Sequence, residues 1–278
     1  MITDFQCNTV CFSALLQGLA PVTYANMISV LDRYGIGYRL LPHTNDVWCR
    51  DYMPVQVVDG VFRGFTYNHD YLQVSEELLA TRTDGNVVCS EMGFEVKMPS
   101  KPLVIDGGNV IRCDSKVIMV EKVFSENPYP VAETAKAIEE HFNAELVVLP
   151  WDKCELYGHA DGLVRYTGND HVLLTNYDRF NKGFTSKVVK VLQQHFSDVY
   201  KLEYNVQKQH KYNWAYINWL QTDKVLLIPA FGCPEDEQAF DQIVSFMPMY
   251  KDRIEMVPAT DLVRHEGCLN CASWTVRM

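Results

Sequence analysis

Leu146-Val147-Val148-Leu149-Pro150 reads as a short apolar strand ending in proline. Directly before it, Val131, Ala135, Ile138 and Phe142 recur at helical spacing, so the phrase is a helix and then a strand. The phrase recurs along the chain. Val22 to Tyr34 precedes Tyr38-Arg39-Leu40-Leu41-Pro42, and a weaker copy ends in Phe94-Glu95-Val96-Lys97-Met98-Pro99. Ser186 to Phe196 precedes Val199-Tyr200-Lys201-Leu202-Glu203-Tyr204, without the proline, and Glu235 to Phe246 precedes Arg253-Ile254-Glu255-Met256-Val257-Pro258. The strand ends fall near 42, 99, 150, 204 and 258. Their spacing of roughly 54 residues marks a repeat architecture. Further strands, such as Val117 to Val120 and Val225 to Ile228, give each unit strands and one helix. Five such units set radially predict an α/β fold, a closed five-bladed propeller forming one domain over residues 1–278.

Each strand end is followed by a polar motif. Asn45-Asp46-Val47-Trp48-Cys49-Arg50-Asp51-Tyr52-Met53-Pro54 comes first, then Asp106-Gly107-Gly108-Asn109, then Gly158-His159-Ala160-Asp161-Gly162. Tyr216-Ile217-Asn218-Trp219 and His265-Glu266-Gly267-Cys268-Leu269-Asn270-Cys271 complete the set. A propeller gathers all five at one end of its axis. If the central motif enters a strand at Leu163-Val164-Arg165-Tyr166, His159 and Asp161 lie two residues apart and face one cavity.

Composition narrows the partner. The 278 residues are 47% hydrophobic and 22% charged, an ordinary globular balance. The formal net charge of -10 excludes a nucleic-acid binder and favours a cationic small substrate. No apolar run reaches the roughly 20 residues of a membrane span. Met1 to Gln6 carries no basic segment, so neither a signal peptide nor a membrane partner is expected. Nine cysteines without framework spacing point to reduced thiols in the cytoplasm.

These residue types suit one chemistry. Cys271 offers a thiolate nucleophile and His159 a general acid and base. Asp51, Asp106 and Asp161 can grip a planar cation through paired hydrogen bonds, and Trp48 offers a face for stacking. Cys268 and Cys271, with His265 upstream, leave zinc binding or redox exchange as a lesser alternative.

Taken in order, the Trp48 to Pro54, Asp106 to Asn109 and Gly158 to Asp161 motifs with Cys271 resemble the signatures of the guanidine-modifying (pentein) superfamily. The nearest branch is the agmatine deiminase and bacterial peptidylarginine deiminase family. Tyr216-Ile217-Asn218, with Val225 to Gly232, is similar to a further stretch of that branch. The resemblance spans about Asn45 to Cys271 and implies the same five-bladed fold.

It also implies hydrolysis of a guanidinium C–N bond through a covalent thiol intermediate, on a small compound such as agmatine. Cys271, His159, Asp161 and Asp51 are then the catalytic residues, and Trp48, Asp106, Gly108 and Asn218 bind substrate. No metal or organic cofactor is implied, and association of identical copies is left open. Peptidyl-arginine deimination, amidino transfer and a non-catalytic binding propeller are the alternatives. Three positions depart from the family pattern: Asp106 stands where Glu is common, Asn270 precedes Cys271 in place of His, and Gly162 follows Asp161.

Overall fold

The structure, a computed structural model, describes residues 1–278. In chain order it runs β1 (Thr9–Ser13), α1 (Pro21–Tyr34), β2 (Gly37–Leu41), β3 (Val55–Val58) and β4 (Val61–Arg63). Next come α2 (Gly85–Glu91), β5 (Glu95–Lys97), β6 (Ile111–Cys113), β7 (Lys116–Val120), α3 (Val131–Phe142) and β8 (Glu145–Leu149). The remainder is β9 (Val164–Gly168), β10 (His171–Leu174), α4 (Asp178–His195), β11 (Asp198–Lys201), β12 (Leu220–Gln221), β13 (Leu226–Ala230), α5 (Glu235–Phe246), β14 (Ile254–Pro258) and β15 (Trp274–Val276).

These strands form five three-stranded sheets of one pattern, the blades of the expected α/β propeller. A hairpin pairs the first two strands antiparallel, as in β6–β7 with Ile111 opposite Ile118. A helix then carries the chain to a third, parallel strand, as in β7–β8 with Ile118 opposite Val147. A parallel partner requires a crossover, which is why each unit needs its helix. Turn chemistry agrees: Asn169 and Asp170, both at positive φ (51° and 63°), form the two-residue turn of the β9–β10 hairpin. The amphipathic helix α3 ends where Asn143 adopts the left-handed conformation (φ 51°).

Burial gives the radial order. The first strands β6, β9, β12 and β15 are buried throughout, whereas β5 and β11 contain no buried residue. Four apolar clusters fill the space between blades and helices; the largest joins Phe62, Phe65, Ile138, Phe142 and Trp274.

Most expected elements stand within a few residues of their places. The fourth departs most. Its helix begins at Asp178 and breaks at Asn181 (φ -150°, ψ 84°), whose Oδ1 accepts from Phe184 N at 3.0 Å and restarts the helix. Its strand stops at Lys201, short of Tyr204. The weak second unit has a true helix, α2, capped by Asp84. The blade of the first unit is completed from both sides of the sequence, because β15 pairs antiparallel with β1 and β1 pairs parallel with β2. No helix is long and apolar enough to cross a membrane.

Candidate active site

The five polar motifs occupy the segments that lead into the first strands, so the propeller brings them together. Three are tied directly through the backbone: Arg50 N donates to Cys271 O at 3.0 Å, and Asn270 N to Asn218 O at 3.1 Å. His159 and Asp161 do share a cavity, but by a different route from the one expected. Strand β9 starts only at Val164, and Ala160–Gly162 is a single 3-10 turn that aims both side chains inward. The cavity has a volume of about 610 Å³, and His159, Asp161 and Cys271 lie on its wall.

Cys271 Sγ lies 3.6 Å from Asp161 Oδ2 and 3.3 Å from Asn218 Oδ1. Asn218 Oδ1 also accepts from the backbone N–H of Asn270 (3.2 Å) and of Cys271 (3.3 Å), which fixes the thiol-bearing turn. Asn270, the departure beside the thiol, donates Nδ2–H to Asp161 Oδ2 at 2.7 Å and orients that carboxylate. Burial raises the Cys271 thiol well above its ordinary pKa, and the charges of Asp161 and Asp51 push it further.

His159 meets Asp106 at 2.7 Å (Nε2 to Oδ2), an ion-pair contact outside the linear geometry of a hydrogen bond. Burial opposes charge on the ring, yet Asp106, Asp51 and Asp161 together outweigh it and lift His159 from 6.5 to about 10. Asp106 moves the other way. Despite its burial, His159 and His69 hold its carboxyl below the usual carboxylate range. Asp51 is raised well above that range by burial and by the neighbouring Asp106. Its Oδ1 is buried with no hydrogen-bond partner. Gly108 is required here, since a Cβ would come within 2.6 Å of His159 Nδ1 and 2.7 Å of Asp51 Oδ1. Asp51, Asp106 and His159 could together ligate a metal ion, their nearest atoms all lying within 4.8 Å of one another.

One expected residue is elsewhere. Trp48 packs against the backbone of Gly267 and faces a separate, shallower depression with Asn45, Asp46 and His265, away from the thiol cavity. It precedes the short turn Cys49–Tyr52, and Asp51 leaves that turn on another side. Cys268 belongs to an apolar core cluster, while His265 is exposed in the Trp48 depression. The aromatic walls of the cavity come from Tyr157, Tyr212 and Trp214 instead.

Behind Asp106 lies a buried group that sequence reading missed. Tyr71 Oη donates to Asp106 Oδ2. His69, 3% exposed, sits between Asp106 Oδ2 at 3.8 Å and Glu126 Oε1 at 3.5 Å. His69 and Tyr71 stack at 5.6 Å between ring centres. The one available signal was Asn68-His69-Asp70-Tyr71, a histidine among polar residues between β4 and α2, outside the repeat.

Comparison with known proteins adds to this geometry. Agmatine deiminase from C. jejuni has the same fold, with a TM-score of 0.79 over 100% of this chain and 95% of that chain at 15% identity. For the agmatine deiminase of Enterococcus faecalis the TM-score is 0.71 over 99% and 95%, at 16% identity. DDAH from Pseudomonas aeruginosa gives 0.65 over 97% and 99%, at 12% identity. No curated protein matches the chain. At the level of sequence, residues 19–276 match the model of the Porphyromonas-type peptidyl-arginine deiminases, from before the first motif to beyond Cys271, and the chain belongs to that family.

Proposed function

We propose that this protein is a cysteine-dependent deiminase that hydrolyses the guanidinium group of a small molecule, with all five blades acting as one catalytic domain. The observation that carries the reading is a surplus of buried carboxylate. Asp51, Asp106 and Asp161 crowd around one imidazole and one thiol, no arginine or lysine pairs with any of them, and Asp51 Oδ1 has no donor. Such a site is incomplete until a planar cation with several N–H groups enters. Membership of the deiminase family supports the same reading.

The chemistry follows from the charges. Before a cation binds, burial and the crowded carboxylates favour proton binding by Asp51 and by the Cys271 thiol. A bound guanidinium supplies the missing positive charge. It favours the ionised forms of both groups, so the Asp51 carboxylate binds N–H groups together with Asp161, and the thiol loses its proton to solvent. The thiolate attacks the central guanidinium carbon, forming a C–S bond and a tetrahedral adduct. His159, protonated at neutral pH, gives its proton to one amino nitrogen, and the C–N bond breaks to release ammonia. Neutral His159 then accepts a proton from water as that water attacks the amidino-thiol carbon. Collapse breaks the C–S bond, returns the thiolate and leaves a ureido product. Asp106 positions His159 and keeps it charged for the first half of the cycle.

Ammonia and ureido product would be measured over a panel of guanidines for wild type and for Cys271→Ala. Equal amounts of the two products from one compound, lost in the variant, are the expected result. Continued turnover by Cys271→Ala would refute the assignment.

A further inference from the structure

Resting on that reading, we propose that the substrate's guanidinium carries a bulky aromatic or apolar body, which the outer cavity binds. Size comes first. A volume of about 610 Å³ lies in the middle of the range for pockets that enclose drug-sized ligands. A guanidinium on a short alkyl chain leaves most of that space open.

The walls come second. Tyr157, Tyr177, Phe184, Tyr212 and Trp214 are all half-buried rings lining this one hollow. Trp214 reaches down to the catalytic turn, where a Cβ on Gly162 would meet its ring at 3.7 Å. Two of the phenols are tied into the wall: Tyr157 Oη donates to Glu266 Oε2 and Tyr177 Oη to Asp152 Oδ2, each at 2.7 Å. What remains facing the hollow is ring surface, with Phe180, 59% exposed, at its edge. Half-buried aromatic surface converging on a polar, reactive end is the usual form of a site for a ligand with one polar head.

Charge comes third. Away from the thiol, the carboxylates on the wall already have donors. Asp152 accepts from Cys154 N as well as from Tyr177, and Glu155 accepts from the backbone N–H groups of Tyr157 and Gly158. Only Glu266 keeps one oxygen free. The two cations of the wall, Lys211 and Arg264, are exposed and have no carboxylate partner. The polar groups of the wall are thus engaged with one another or exposed at the rim, and an aryl group entering the hollow meets rings.

Four guanidines test this: 4-phenylbutylguanidine, agmatine, free arginine and an arginine-containing peptide. The arylalkyl compound is expected to show the highest kcat/KM, at least tenfold above agmatine. Phe184→Ser should raise its KM at least fivefold while leaving kcat/KM for methylguanidine unchanged. Higher kcat/KM for agmatine, arginine or the peptide would overturn the inference, as would equal effects of Phe184→Ser on both compounds. Calorimetry with Cys271→Ala reads the same preference without turnover. Tenfold tighter binding of the arylalkyl compound supports the aromatic subsite even if the wild type hydrolyses nothing, an outcome that would sink the deiminase reading alone. Equal binding of all four would sink the subsite.

Discussion

Arg50 and Asp51 are neighbours in sequence and belong to opposite charge clusters. On one side Arg50, Arg112 and Arg165 converge on a single carboxylate, Asp4, with Thr275 bonded into the group. On the other, Asp51, Asp106 and Asp161 surround one histidine and a thiol, and no arginine is present. All six side chains are buried. The first cluster pairs guanidinium with carboxylate inside the chain. The second sets three carboxylates against one imidazolium, His159, and holds no guanidinium. A folded protein keeps excess buried charge of this kind at a cost in stability, and the cost falls where a ligand is to complete the pair.

The comparison can be broken most sharply at the thiol. Cys271→Ala should lower turnover by about 10⁴-fold or more, as loss of a nucleophile does, with little change in melting temperature. Next come substitutions of opposite sign. Asp4→Asn leaves three buried guanidiniums without their counter-ion and should destabilise the fold by about 3–5 kcal/mol. Asp51→Asn should instead leave stability equal or higher while activity falls by about 10²-fold or more, because it relieves carboxylate crowding and removes a group that holds the reacting cation. Thermal unfolding and initial rates on both variants decide. A fall in stability for both would erase the contrast.

A third test concerns pH. The reaction needs protonated His159, so kcat/KM should fall as pH rises through about 10. Asp106 is the strongest of the charges that raise His159, so Asp106→Asn should move that alkaline limb to lower pH. The smallest expected effect belongs to Tyr71→Phe. Removing its hydrogen bond strengthens Asp106 as a base, so the limb should move slightly upward, and pH profiles of kcat/KM separate the two directions.

Much of this was legible in the sequence, because the blades repeat and each repeat ends in a motif. The helix Val131–Phe142 and the helix Glu235–Phe246 stand where periodicity put them. Cys271, His159, Asp161, Asp51, Asp106 and Asn218 meet because topology, not local conformation, assembles them. What stayed hidden lacked a local signal. Asp4 lies 108 residues from Arg112 and 161 from Arg165, and no pattern links a lone acidic residue near the start to those arginines. His69 and Tyr71 sit in a segment that has no counterpart in the other units. Trp48 was misplaced because residue spacing cannot give the direction in which a side chain leaves an irregular turn.

The pairing of β1 with β15 has a kinetic meaning. Thr9 lies opposite Val276, so this blade joins two of the most distant parts of the chain and its formation carries a loop-closure entropy. Four blades can be assembled while the thiol still hangs outside the ring, since Cys271 lies three residues before β15. With that sheet formed, the sulfur lies beside Asp161 and Asn218. A chain in which this sheet is open therefore has no assembled reactive centre, whatever the state of the other four blades.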